Sequence, residues 1–552
     1  MKWRAASRTE ELARSRDDVG PAIVRIGADA HMLTIRRAAL DVVVFAGILI
    51  VGFARLPEPF TGDQALNMLM GRVITDGGAP YVDLWDLKHP GIFLFFAASG
   101  TLFGFTEIGI HLFELLWMFA LAVAVRLTAG QYLRNEVAAA LASALTVGFY
   151  YAVATGVHLT QTEVIVGLPL LCCLALAAAA VQRPRGSAAM WFASGVSAGV
   201  VALFKAPYIL LPMIFWLLSL VELRRAQDVA WRQAIRRSAP AVPGLLLPLV
   251  ATIVYLLLKD ALGVAWWTFI VFPRQAVAET PLDLQLLRDG TAWFVRTFTV
   301  PLALAAIGAS DRLRRGWDLW TVALVAWVVG GVVLIWAQVI GWWSYHYLLL
   351  LVPIGLLAAA GIETLWRVAR SAGLTSRRVA AVAAMLILIV LMWSPVSLGV
   401  RSIADFLRAR PLPLTSDAAR AFQIEEDPAY SYASRTTSFL SAPRSHPGPI
   451  YVFASPILYV ISDRPPAISP LATWFDPTSE AWERMMRELT AASPPYIYMA
   501  NGAIGSLTAE NAAITDDARA LQSWRHKWYR LLRTDRGGTW YMRRDLSPAP
   551  AP

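Results

Sequence analysis

Apolar residues run in long blocks over the first 400 positions, with short polar connections between them. A membrane-spanning helix needs about 20 such residues and at least about 17. That rule predicts eleven spans, at roughly 38–56, 106–127, 137–154, 163–181, 187–204, 207–222, 240–258, 294–309, 318–341, 345–366 and 378–398. One further run, Gly91 to Gly104, is too short to cross and is expected to lie along the outer interface. After Arg401 the apolar runs shorten. PIYVFASPILYVIS and PPYIYMANGAI read as strands, and SEAWERMMRELTAA as an amphipathic helix. The predicted fold class is therefore an all-α polytopic membrane domain of about eleven transmembrane helices, with a small C-terminal α/β domain. Its divisions are a basic N-terminal extension over 1–37, the membrane domain over 38–400, a soluble domain over 401–545 and a disordered Pro/Ala tail over 546–552.

Charge gives the expected orientation. With the N-terminus in the cytoplasm, the inner connections hold Arg126 and Arg134; Arg183 and Arg185; Arg224, Arg225, Arg232, Arg236 and Arg237; Arg312, Arg314 and Arg315; and Arg367, Arg370, Arg377 and Arg378. Every one is basic, as the positive-inside rule asks. The C-terminal domain then lies outside, and the expected location is a bacterial inner membrane. Counting 91–104 as a span would invert this agreement.

Composition fits the same picture. Charged residues are 16% of the chain and hydrophobic ones 57%, where a soluble domain carries about 25% charge. The formal net charge of +10 does not indicate nucleic acid, because the arginines sit in short loops and no basic stripe alternates with stacking aromatics. Cys172 and Cys173 are adjacent within an apolar run, and no disulfide is expected. Walker-type, HExxH and CxxC patterns do not occur.

Candidate chemistry gathers in the first outer segment, FTGDQALNMLMGRVITDGGAPYVDLWDLKHPGIF. Asp63 follows the first span; Asp83, Asp86, Lys88 and His89 lie just before the short apolar run. A cation at headgroup height suits a lipid phosphate, and a nearby carboxylate suits proton abstraction from a hydroxyl. Elsewhere, Glu163 opens the fourth span, Lys205 lies at an outer turn where a charge is costly, His346 and Tyr347 open a late helix, and Arg274 lies in the second outer loop.

The first outer segment resembles the corresponding loop of the GT-C glycosyltransferases, the protein O-mannosyltransferases and the lipid A aminoarabinose transferases among them. The similarity is carried by Gly62-Asp63-Gln64, by Gly78-Ala79-Pro80-Tyr81-Val82-Asp83-Leu84-Trp85-Asp86, and by Lys88-His89-Pro90. His346-Tyr347 and the lysine at 205 match later stretches. Two departures stand out: Gln64 replaces the second acid of the family pair, and His89 the first proline. The resemblance implies an inverting transfer of sugar from a polyprenyl-phosphate carrier to a lipid, glycan or protein acceptor outside the cytoplasm. By the same carry-over Asp63 is the general base and Glu163 a second catalytic acid, while Lys88, Lys205, His346 and Tyr347 contact the carrier phosphate. Tyr81, Asp83, Asp86, His89 and Arg274 are further site candidates. No cofactor is required by this chemistry, and a divalent cation remains an alternative. The competing function is a polytopic lipid or sugar transporter or flippase; another is an inactive sensor.

Overall fold

The computed structural model describes residues 37–183, 186–279, 282–338, 341–373, 375, 377–378, 394–409, 411–469, 479–505 and 514–546. The expected N-terminal extension up to residue 36 and the tail from residue 547 lie outside them, as does most of the span expected at 378–398. The first span is helical over 37–53 (α1). Among the described residues nine further helices are long and apolar enough to cross a membrane. They are α4 Glu107–Tyr132, α5 Glu136–Val153, α6 Thr162–Gln182, α7 Ser187–Phe204, α8 Ala206–Gln227, α9 Trp231–Leu258, α11 Leu284–Arg315, α12 Leu319–Trp336 and α13 Ser344–Ser371. Each covers one expected span. The largest boundary error is at α11, whose apolar window starts at 294. The helix begins ten residues earlier, where the Asp283 side chain accepts from Leu286 N at 2.9 Å. Arg288 and Asp289 end the apolar window without ending the helix.

Two shorter helices sit between α1 and α4: α2 Gly62–Thr75 and α3 Pro90–Phe103. The latter is the short apolar run singled out above. Between α9 and α11, the turns Leu262–Trp266, Trp267–Val271 and Phe272–Glu279 follow end to end and are treated as α10.

The two ends of the bundle differ in chemistry. At one end Arg126 meets Asp41 at 2.7 Å and Glu136 at 3.2 Å, Arg312 meets Glu363 at 2.7 Å, and Arg367 meets Asp311 at 2.8 Å. The opposite end carries α2, α3 and α10. There the C-terminal part of the chain docks through α15 Ser416–Glu426 and α16 Pro428–Thr437, which follow α14 Ser394–Arg408.

The C-terminal sheet has strands β1 Ile450–Phe453, β2 Tyr496–Ala500, β3 Tyr529–Thr534 and β4 Gly538–Arg543, in the order β1-β2-β4-β3. β1 and β2 are parallel; the other pairs are antiparallel. α17 Ile457–Ser462 follows β1, α18 Ser479–Ala492 precedes β2, and α19 Thr515–Trp528 precedes β3. One strand expectation needs correction. PIYVFASPILYVIS is a strand only as far as Phe453, and its second half is α17. Pro456 starts that helix, and the Tyr459 hydroxyl turns back to accept from Val452 N at 2.8 Å. The hairpin of β3 and β4 is not among the expected elements, because charged residues break its apolar alternation.

Candidate active site

The site begins with the cap of α2. Thr61 is extended, and its N–H donates to Gln64 Oε1 at 2.7 Å. Gln64 Nε2 donates in turn to Leu159 O at 2.9 Å and to Thr160 Oγ1 at 3.0 Å. Gln64 is fully buried. It ties α2 to the turn before α6, a task a carboxylate cannot perform, since it has no proton to donate to the Leu159 carbonyl. The departure from the family pair is thus a structural amide that leaves Asp63 as the lone acid of that first turn. Among the described residues no three His, Cys, Asp or Glu side chains come together as a metal-holding group. With Gln64 engaged and Lys88 beside Asp63, the residues do not fit a divalent cation here.

Asp63 lies in the first turn of α2, where helix N–H groups favour a negative charge. Lys88 reaches it from the next loop. Its Nζ is 3.2 Å from Asp63 Oδ1 and 3.1 Å from Asp86 Oδ2. That loop is tightly held. Asp83 accepts from Ala79 N at 2.7 Å and closes an exposed turn. Tyr81, buried at φ +70°, donates its hydroxyl proton to Lys88 O at 3.0 Å. Trp85 Nε1 donates to Thr268 Oγ1 at 2.9 Å and fixes the loop to α10. His89 stacks on Phe269 with centroids 4.7 Å apart. Burial raises the Asp86 carboxyl above its ordinary range; Lys88 partly offsets this and Asp63 adds to it. Burial alone would lower the Lys88 ammonium, but Asp63 and Asp86 more than reverse that. The lysine stays charged.

A second set faces the first. Glu163, in the first turn of α6, is 2% exposed. Its Oε1 accepts from Lys205 Nζ at 2.9 Å and from the Tyr208 hydroxyl at 3.0 Å. Lys205 interrupts the passage from α7 to α8 in extended conformation and also donates to Gln338 Oε1 at 2.7 Å. His346 Nε2 is 3.8 Å from Glu163 Oε1, and its Nδ1 is buried without a partner.

Two contacts join the sets. Tyr345 packs its ring edge-on against His346, and its hydroxyl is 3.5 Å from Asp63 Oδ2. Gly91, at the start of α3, lies so close to α7 that an added Cβ would stand 2.7 Å from the backbone of Leu203 and Phe204. The segments carrying Lys88 and Lys205 therefore touch backbone to backbone. Gly91→Ala is expected to destabilise the protein by about 1–3 kcal/mol through overpacking. Thermal unfolding in detergent reads the loss.

Sequence reasoning thus placed Asp63, Asp86, Lys88, Glu163, Lys205 and His346 in positions the fold brings together. Tyr81 and His89 support them. Three candidates lie elsewhere. Asp83 serves its turn; Tyr347 stacks on Phe294 and shares a hydrogen bond with Thr291; Arg274 is exposed on α10. Tyr345, Tyr208 and Gln338 were missed. The first is a neighbour of the predicted His346, whereas nothing in the local sequence marks Gln338.

His158 braces this arrangement. It stacks on Trp293 with centroids 4.5 Å apart, and its Nε2 is 3.1 Å from Ser344 Oγ. Burial lowers its pKa to about 4, and that of His89 falls to about 4 mainly by burial, with Lys205 adding. An unfolded histidine takes up its proton near pH 6.5; these two resist until about pH 4. Their contribution to stability is full above pH 6.5 and is lost as pH falls toward 4. His158→Gln is expected to flatten that dependence, measured as unfolding temperature against pH.

The sequence model of the dolichyl-phosphate-mannose-protein mannosyltransferase family matches residues 88–257. The match starts at Lys88 and includes Glu163 and Lys205. No curated protein matches the chain significantly. Among solved structures, ArnT from Cupriavidus metallidurans bound to undecaprenyl phosphate superposes with a TM-score of 0.61 at 16% identity, over 93% of this chain and 99% of that one. The chain has the GT-C fold. The apo form of the same ArnT gives 0.56 at 17% identity, covering 91% and 97%. An Archaeoglobus fulgidus oligosaccharyltransferase tethered to an acceptor peptide gives 0.50 at 11%, covering 92% and 74%. The matched family and the matched fold are both those of membrane glycosyltransferases.

Proposed function

We propose that this GT-C protein transfers a sugar from a polyprenyl-phosphate carrier to an acceptor on the extracytoplasmic face, with inversion at the sugar carbon. The observation that carries the reading is the pairing of two half-buried lysines, each held on at least one carboxylate, with Asp63 beside one of them. A carrier phosphate entering between Lys88 and Lys205 competes with Asp63 and Glu163 for the ammonium groups. When Lys88 turns to the phosphate, Asp63 loses its cation and becomes a better base. Asp63 then takes the proton of the acceptor hydroxyl or amine. The acceptor atom forms a bond to the sugar carbon as the bond from that carbon to the phosphate oxygen breaks. The electron pair leaves on the phosphate, where fixed cations in a buried site stabilise the growing charge most. No nucleotide is needed, because the leaving group is already a phosphate. The N-terminus is assigned to the cytoplasm and residues 401–545 to the outer face of a bacterial inner membrane. The relationship to ArnT, solved with undecaprenyl phosphate, supports the donor class.

The full-length protein, purified and mixed with a polyprenyl-phosphate-linked sugar and membrane extract as acceptor source, is expected to release free polyprenyl phosphate. A transporter or flippase would move the lipid and leave its glycosyl bond intact. Intact donor after prolonged incubation, under conditions where the donor binds, would overturn the enzyme reading.

A further inference from the structure

We infer that Tyr430, in the C-terminal region, is a positioning residue for Asp63; this rests on the base role proposed above. The segment Pro57–Thr61 leads directly into α2 and sets the direction of its first turn. It is gripped from outside the membrane helices. Tyr430 is fully buried, and its oxygen accepts from Phe60 N at 2.7 Å. The same hydroxyl donates to Glu107 Oε1 at 3.0 Å, at the first residue of α4. Arg420, one turn into α15, neutralises that carboxylate at 3.0 Å. Gln423, also fully buried, donates its Nε2 to Pro57 O at 3.0 Å.

These contacts share one logic. A lone N–H and a lone C=O in a buried connecting segment need partners, and the C-terminal region supplies both. The Tyr430 hydroxyl does so while fastened to α4 through Glu107, so α2 and α4 are joined at a single oxygen. The phosphate-binding lysines hang on other segments: Lys88 on the loop before α3, Lys205 between α7 and α8. Loosening Phe60 therefore shifts the base relative to the donor while the donor's own contacts stay. The lever is short, because Asp63 is three residues from Phe60. A misplacement of about 1 Å can cost about a hundredfold in rate.

The test is Tyr430→Phe, which keeps the ring and removes the hydroxyl. Turnover is expected to fall tenfold or more, with KM for the lipid-linked sugar and affinity for undecaprenyl phosphate both within twofold of wild type. Arg72→Ala serves as control. Arg72 pairs with Asp463 at 3.3 Å at the far, exposed end of α2, and turnover should stay unchanged. A residue with only a structural role would lower the unfolding temperature and leave turnover per folded molecule alone. That outcome, or a parallel loss of undecaprenyl phosphate binding, overturns the assignment. Should Tyr430→Phe fail to purify, Gln423→Leu removes the second grip on the same segment and is held to the same criteria. Asp63→Asn is assayed alongside. If it is inactive while Tyr430→Phe turns over normally, the positioning role falls and the base reading stands. If Asp63→Asn is active, the base reading itself fails.

Discussion

Asp63→Asn is expected to reduce sugar transfer by about 10²–10⁴-fold while leaving a folded protein that still binds the carrier. The magnitude is that of a lost general base. The expectation of a retained fold comes from the geometry. Asparagine has the size of aspartate, and its amide oxygen can still accept from Lys88, which sits 3.2 Å from Oδ1. Asp86 remains at 3.1 Å as the second partner of that lysine, so no ammonium is left buried alone. Gln64, which carries the cap of α2, is untouched. Donor binding should change little, because the phosphate contacts come from the lysines. A steady-state assay of carrier release, with titration of undecaprenyl phosphate, separates the two effects. Loss of lipid binding together with activity would instead make Asp63 a structural partner of Lys88.

Lys205→Met should be more damaging, since it removes function and stability together. Its ammonium is 2.9 Å from Glu163 Oε1, and Glu163 is 2% exposed. Removing one member of a buried pair leaves the other charge uncompensated, at a typical cost of about 3–5 kcal/mol. The Tyr208 hydroxyl still donates to Glu163, but it brings no charge. Glu163→Gln in the same chain is expected to recover most of the lost stability. It should not recover transfer, because the phosphate still lacks a cation. Unfolding temperatures and turnover of the two single variants and the double variant form a cycle. Recovery of activity in the double variant would show that Lys205 serves only to neutralise Glu163.

The membrane bundle was legible in the sequence because hydropathy and charge spoke independently. Long apolar blocks placed the helices, and the arginine-rich connections required one count and parity for them. The helices followed these blocks even where a charged turn, as at Arg288 and Asp289, hid the beginning of one. The candidate site was legible where chemistry was concentrated: Asp83, Asp86 and Lys88 fall within six residues of one loop, with Asp63 at the start of the same outer segment. It was less legible where the fold recruits neutral partners. Gln338 reaches Lys205 from the end of α12 across 133 positions, and such a contact leaves no periodic trace. Gln64 read as a damaged acidic pair, yet it is a well-bonded amide. Tyr347 was taken for a site residue, but it sits in a tight helical turn that sends Tyr345 and His346 toward the carboxylates and Tyr347 toward Thr291. The C-terminal region was the hardest. Its strands have only four to six residues, and a proline decides where β1 ends and α17 begins.

The most direct test is a structure of the protein with undecaprenyl phosphate bound. Phosphate density between the Lys88 and Lys205 ammonium groups, within hydrogen-bonding reach of both and with Lys88 drawn off Asp63, is the predicted result. A phosphate seated elsewhere, with both lysines still resting on Asp63, Asp86 and Glu163, would contradict the account.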